Sequence, residues 1–159
     1  MYTLTIYTPV GYLKLTSNET ALTAVSFADS DNNPGVKLPK ILLKAKTQLS
    51  EYFAGSRKEF DLLLMPEGTD FQLKVWEEVS KINFGETTSY LEIAKATGSE
   101  KNTRAVGLAN GKNPIPIIIP CHRVIGSNGR LTGYAGGIDR KRWLLKHELD
   151  FSYKKDLLF

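Results

Sequence analysis

Hydrophobic and polar residues alternate along the start of the chain. Leu4, Ile6 and Thr8 fall on one side, with Thr3, Thr5 and Tyr7 on the other; Val10-Gly11 makes a turn into Tyr12–Thr16, and Leu22–Phe27 repeats the alternation. Period-two patterning broken by turn residues predicts a small antiparallel meander. The stretch 29–35, Asp-Ser-Asp-Asn-Asn-Pro-Gly, reads as a loop. After Pro39 the period changes. Ile41, Leu42, Ala45, Leu49 and Phe53 follow helical spacing, with Gly55 as the stop. Phe60–Leu64 reads as a further short strand, and Pro66-Glu67-Gly68 as a linker.

Beyond the linker the pattern is helical. Thr69-x-x-Gln72 is a capping box, and Phe71, Val75, Val79 and Ile82 line one face of a helix expected to end at Phe84-Gly85. Ser89-x-x-Glu92 opens a second helix running to Gly98, and a third spans roughly Thr103 to Asn110, with Gly111 as its stop. Two short helices around a glycine-containing turn outline a helix-turn-helix. In the third helix Thr103, Gly107 and Asn110 form a small or polar stripe, opposite Ala105, Val106, Leu108 and Ala109. The stripe fits either a close approach to a groove or tight packing on a neighbouring helix. The fold class expected is α+β: an N-terminal antiparallel sheet-plus-helix domain over 1–68, then a mostly helical domain over 69–159.

Composition narrows the class. The 159 residues are 42% hydrophobic and 24% charged, enough for a buried core. No apolar run approaches the roughly 20 residues of a membrane-spanning helix, and the N-terminus lacks an export-signal layout. Cys121 is the only cysteine, and His122 and His147 are the only histidines, so neither an intramolecular disulfide nor a Cys-rich zinc site is possible. The expectation is a monomeric, cytoplasmic protein without metal or cofactor. The net charge of +4 is unevenly spread: over 95–142, nine Lys and Arg face only Glu100 and Asp139. Such a field suits a polyanion, although a solvated face would look the same.

The chemistry concentrates in Asn113-Pro-Ile-Pro-Ile-Ile-Ile-Pro-Cys121-His-Arg-Val-Ile125. Three prolines around an apolar run predict a stiff, buried, extended segment ending at Cys121. His122 and Arg123 next to the cysteine, and a helical turn beginning there, would favour thiolate. Taken alone, a cysteine after an apolar run also fits a packed core residue.

The run Ile119-Pro-Cys-His-Arg-Val124 resembles the active-site signature of the O6-alkylguanine-DNA alkyltransferases. So do Thr88-Ser89-Tyr90, Thr103-Arg-Ala-Val-Gly107, Asn113-Pro114, Gly133-Tyr-Ala-Gly-Gly137 and Trp143-Leu-Leu-x-His-Glu148. The resemblance is continuous over about 70–149; the first 69 residues resemble the family's ribonuclease-H-like domain only in general plan. It implies DNA repair by direct reversal. The alkyl group of O6-alkylguanine, and of O4-alkylthymine, would move once from double-stranded DNA onto Cys121. His122 would take the thiol proton through a water, with Glu148 orienting the imidazole and Tyr90 and Lys141 assisting. Arg104 would enter the stack as the target nucleotide flips out, while Thr103, Ala105 and Gly107 fit the minor groove. Asn113 and Arg123 join this DNA-binding set, Asn113 also bonding across the turn before the cysteine. Val124, Tyr134 and Ala135 would line the base pocket, Ala135 standing where some relatives carry Ser. A relative that binds lesions without transferring them commonly has Trp in place of the cysteine, so Cys121 favours catalysis over that alternative. A cysteine hydrolase is a third reading, and would turn over repeatedly.

Overall fold

The structure, a computed structural model, describes residues 1–33 and 35–157, with side chains described through Ser152. It divides into two compact units, Met1–Glu67 and Gly68–Phe159. Of the positions read above, Pro34 in the expected loop and the last two residues of the 69–159 domain lie outside the described residues.

In the first unit β1 (Tyr2–Thr8), β2 (Gly11–Ser17) and β3 (Leu22–Ala28) form an antiparallel sheet in the order β1-β2-β3. The register sets Leu4 opposite Leu15, Ile6 opposite Leu13, and Leu15 opposite Val25, so the apolar positions share one face. Helix α1 (Lys40–Phe53) turns Ile41, Leu42, Ala45, Leu49 and Tyr52 inward. Leu13, Leu15, Leu22, Leu42 and Leu49 are fully buried, each contributing about 1.5–3 kcal/mol relative to exposure. Thr5, expected on the outer side, is buried too. Asn33 covers it, its side-chain amide accepting from Thr5 N (2.6 Å) and donating to Thr5 O (3.0 Å).

The strand expected over Phe60–Leu64 does not form. Only Leu64 makes an isolated bridge, to Leu22. The backbone of Asp61 is taken by a side chain instead: Gln48 donates to its carbonyl at 3.0 Å and accepts from its N–H at 2.9 Å. A segment whose donor and acceptor are held this way has nothing left for a ladder there.

In the second unit α2 (Asp70–Val79) opens on the expected capping box, both reciprocal bonds of Thr69 and Gln72 being present. It ends at Val79, earlier than expected, with Ser80 Oγ donating to Trp76 O at 2.8 Å. Phe84-Gly85 belongs to a later turn, closed by Glu86 N on Asn83 O, in which Gly85 has φ +81°. Helices α3 (Tyr90–Ala96) and α4 (Thr103–Gly111) form the helix-turn-helix, and Gly98 at φ +136° makes its turn. Ser89 caps α3 by accepting from Glu92 N. Trp76 donates to Ala109 O at 2.8 Å and fastens α2 to α4.

The cysteine segment is buried as expected but not extended. It folds back, with Ile119 N donating to Ile115 O at 2.9 Å and Ile117 taking φ +74°. Left-handed backbone at a β-branched residue costs on the order of 1–3 kcal/mol. Asn113 offsets this by bonding both sides of the fold-back, accepting from Ile115 N and donating to Ile119 O. With Pro114, Pro116 and Pro120 lacking N–H groups, a side chain supplies the pairing that a strand would otherwise provide. The short strands β4 (Thr88–Ser89) and β5 (Val124–Ile125) pair in parallel and bring Tyr90 toward the cysteine turn, and α5 (Ile138–Leu157) closes the chain. Among the described residues no helix is long and apolar enough to cross a membrane.

Candidate active site

Cys121 begins the expected turn, a single 3-10 turn over Cys121–Arg123. Its thiol is 3% exposed. Burial pushes the thiol up to about 11, outweighing the Asn113 amide, Lys141 and the N–H groups of Cys121 and His122, all of which pull the other way. The resting sulfur is therefore a neutral thiol at neutral pH, not the thiolate expected from its basic neighbours. Desolvation outweighs nearby positive charge here, and a base must act as the sulfur reacts.

His122 and Glu148 meet as the resemblance implies, Nε2 lying 2.6 Å from the carboxylate Oε2 with both side chains buried. Burial lowers the His122 pKa, against the pull of Glu148, so the ring is held neutral. An ionised carboxylate only accepts, so Nε2 carries the hydrogen and Nδ1 is the bare, basic nitrogen. That Nδ1 is buried with no hydrogen-bond partner among the described residues. Burial alone would raise the Glu148 carboxyl; the bonds from His122 and Arg123 and the charge of Arg123 overcome it and hold the group well below the usual carboxylate range.

Arg123 is the main correction. Placed among the DNA-facing cations by sequence, it is 5% exposed and points inward. Nε and one terminal nitrogen grip Glu148 at 2.8 and 3.0 Å, the other donates to Ile82 O at 2.6 Å, and the guanidinium stands 5.8 Å over the Phe84 ring. Sequence counting treats every arginine as a surface charge, but a carboxylate buried 25 positions away claims this one. Asn113 is likewise internal, spent on the fold-back and the cysteine, and not available to DNA.

Lys141 is fully buried. It donates to Val124 O at 2.6 Å and Thr132 O at 2.8 Å, and stands 3.4 Å from Tyr90 Oη, which itself donates to Thr132 O. Burial lowers its pKa to about 8, with Cys121 acting in the opposite direction. The carbonyl of Cys121 accepts from Asn110 Nδ2 and from Val124 N, and that of Val124 accepts from Lys141. Tyr134 is buried and its hydroxyl pKa raised, by burial and then by Cys121. Ala135 beside it is exposed, in a loop that uses positive φ at Gly133 and Gly137.

Helix α4 settles the assignment of faces. Asn110, on the stripe that fits either a groove or a neighbouring helix, is buried and bonded to Cys121 O, whereas Leu108 on the opposite side is 64% exposed. The outward face carries Arg104, Ala105, Leu108 and Lys112; Thr103 and Gly107 are half-buried. On α5 the inward line is Lys141, Leu144, His147 and Glu148, while Ile138 is exposed. Trp143 stacks on His147 at 4.9 Å, and His147 meets Phe151 at 4.8 Å. Among the described residues no group of three or more His, Cys, Asp and Glu gathers to hold a metal.

The fold and site together define a small sheet-and-helix unit followed by a helix-turn-helix unit whose one cysteine is served by a buried His–Glu–Arg cluster. The 6-O-methylguanine DNA methyltransferase ribonuclease-like domain matches residues 1–66, and the DNA-binding domain of the same name matches 70–149. The chain belongs to the O6-methylguanine DNA methyltransferase family. It is 48% identical to the methylated-DNA–protein-cysteine methyltransferase of Methanosarcina acetivorans over 93% of this chain and 98% of that one. The constitutive enzyme of that name from Bacillus subtilis is 45% identical over 97% and 98%. Among solved structures, Mycobacterium tuberculosis OGT in complex with DNA superposes with a TM-score of 0.87 at 47% identity, covering 95% of this chain and 94% of that one.

Proposed function

We propose that this protein repairs double-stranded DNA by moving the alkyl group of O6-alkylguanine, and of O4-alkylthymine, onto Cys121, once per chain. The observation that carries the reading is a buried thiol followed in the chain by a neutral imidazole whose unpartnered Nδ1 is its basic end. In the reaction the thiol proton passes through a water to His122 Nδ1, and the resulting imidazolium is stabilised by Glu148. The sulfur forms a bond to the alkyl carbon as the carbon–O6 bond breaks, its electron pair staying on the base. Guanine then takes up one proton, so that thiol plus O6-alkylguanine becomes thioether plus guanine. Tyr90, positioned by Lys141, and a backbone N–H at Ala135 serve the departing base, with Val124 and Tyr134 lining its pocket.

The nucleotide must leave the stack to reach a buried sulfur, at a cost of a few kcal/mol. Arg104 fills the gap, with Thr103, Ala105 and Gly107 against the minor groove and the exposed cations of 95–142 supplying salt-dependent affinity. DNA binding and transfer belong to residues 69–159, and residues 1–68 form the ribonuclease-H-like domain. The protein works as a monomer in the cytoplasm, where its thiol stays reduced.

The test uses excess duplex carrying O6-methylguanine labelled in the methyl group. Transfer should plateau near one methyl per chain and vanish in Cys121→Ala. Binding without transfer would make the protein a lesion sensor, and continued product release would make it a hydrolase. Methylation adds bulk to a close-packed site, so the melting temperature should fall on reaction; an unchanged value would count against the pocket assignment.

A further inference from the structure

By its residue pattern Phe84-Gly85 does no more than stop a helix. In the structure the loop from Ile82 to Gly85 instead wraps the Arg123–Glu148 pair. Ile82 O accepts from Arg123, the Phe84 ring lies under its guanidinium, and Gly85 N donates to Glu148 Oε1 at 3.1 Å across 63 positions of sequence. With that bond the carboxylate is saturated. Oε1 accepts from Gly85 and Arg123 Nε, while Oε2 accepts from Arg123 and meets His122. A carboxylate held by four donors from two separate segments of the chain has one orientation, and that orientation decides which ring nitrogen of His122 carries the hydrogen.

Position 85 favours glycine for two separate reasons. Its φ of +81° lies where side chains are strained. A Cβ built there would also stand 2.2 Å from Ser152 Oγ and 3.0 Å from Ser152 Cβ, one turn beyond Glu148 on α5. A side chain at 85 must therefore turn the Ser152 hydroxyl aside and shift α5 slightly at the turn that carries the carboxylate.

We infer that Gly85 is a positioning residue for alkyl transfer: its N–H and its missing side chain together fix Glu148, and through Glu148 the Nε2–H form of His122. The inference rests on the proposed role of His122 as the base. The test compares Gly85→Ala, Ser152→Ala and the double variant with the unaltered protein. Because each chain reacts once, the plateau counts competent molecules and the rate constant reports on the site separately.

Gly85→Ala should slow transfer about 10-fold at unchanged duplex affinity. Adding Ser152→Ala removes the 2.2 Å clash and should recover at least half of that loss on a logarithmic scale. A second readout does not depend on transfer. With only two histidines in the chain, the deshielded Nε2 proton of His122 is assignable by nitrogen-15 NMR. It should shift upfield or exchange-broaden in Gly85→Ala and return in the double variant. An unchanged rate constant with an unchanged Nε2 resonance overturns the inference. So does a loss of plateau alone, which would mean that Gly85 only helps the chain fold. If Gly85→Ala yields no folded protein, the double variant is compared directly with Ser152→Ala, and equal rates and equal resonances overturn it. Should the unaltered protein transfer nothing, the functional reading fails, while the resonance still decides whether Gly85 sets the imidazole.

Discussion

The two units bury polar groups in different ways. Among the described residues of Met1–Glu67 the buried polar side chains are Thr5, Thr8, Ser17 and Gln48, none of them charged. Gly68–Phe159 buries His122, Arg123, Lys141 and Glu148 as well as its only thiol. A core built for stability avoids this, because desolvating a charge costs several kcal/mol and its partner seldom returns more. The first unit is an apolar layer with neutral clamps. The second spends stability to hold one cysteine among groups whose proton affinities the interior has shifted in opposite directions: Cys121 upward, His122, Lys141 and Glu148 downward.

The sharpest test of that contrast removes the charge from the cluster. Glu148→Gln leaves Arg123 buried without its counter-charge and should cost about 3–5 kcal/mol. Both tryptophans, Trp76 and Trp143, lie in the second unit, so fluorescence in a denaturant titration reads that unit alone. A cost below about 1 kcal/mol would mean the cluster contributes no more than a surface pair.

Acid should separate the units next. The His122 pKa is lowered in the fold by burial, so its contribution is complete above the ordinary value of 6.5 and is lost as pH falls through it. Glu148, also lowered, adds a second loss as pH drops through and below the carboxylate range. Each proton taken up on unfolding gives a slope of about 1.4 kcal/mol per pH unit. The second unit's unfolding midpoint should thus begin to fall below pH 6.5. A flat midpoint down to pH 4 would contradict the buried neutral imidazole.

Gln48→Ala is the matched change in the first unit. It removes both bonds to Asp61 but strands no charge, so about 1 kcal/mol is expected. Hydrogen exchange of the sheet amides gives the measurement. A loss as large as that of Glu148→Gln would erase the distinction between neutral and charged clamps.

Pattern reading succeeded where the contacts are local. The meander, α1, the capping box at Thr69 and the glycine turn of the helix-turn-helix all follow from residues a few positions apart. His122 and Glu148, joined by a motif that keeps them in order, do meet in the fold. What stayed hidden was pairing over distance. Nothing near Arg123 says that residue 148 claims it, nothing near Phe60 says that Gln48 occupies its neighbour's backbone, and Gly85 gives no sign of its carboxylate. Proline bracketing predicts an extended run, whereas the pairing that folds it back comes from the side chain of Asn113. The faces of α4 stay open in sequence for a related reason: a helix made mostly of small residues has little amphipathic contrast, and the polar Asn110 is drawn inside by the carbonyl of Cys121.

The smallest stability effect carries the most information about α4. Leu108 is 64% exposed and shares its face with Arg104, Ala105 and Lys112. Leu108→Ala should change stability by no more than about 0.5 kcal/mol, since little of the side chain is buried. Against duplex DNA the same substitution should weaken binding several-fold with the salt dependence unchanged, because a leucine meets sugars and base edges but neutralises no phosphate. Lys112→Ala should do the reverse, lowering the slope of log affinity against log salt by about 1. A stability cost above about 1 kcal/mol for Leu108→Ala would place the leucine in the core. The outward face of α4 would then have to be redrawn around the half-buried Thr103 and Gly107.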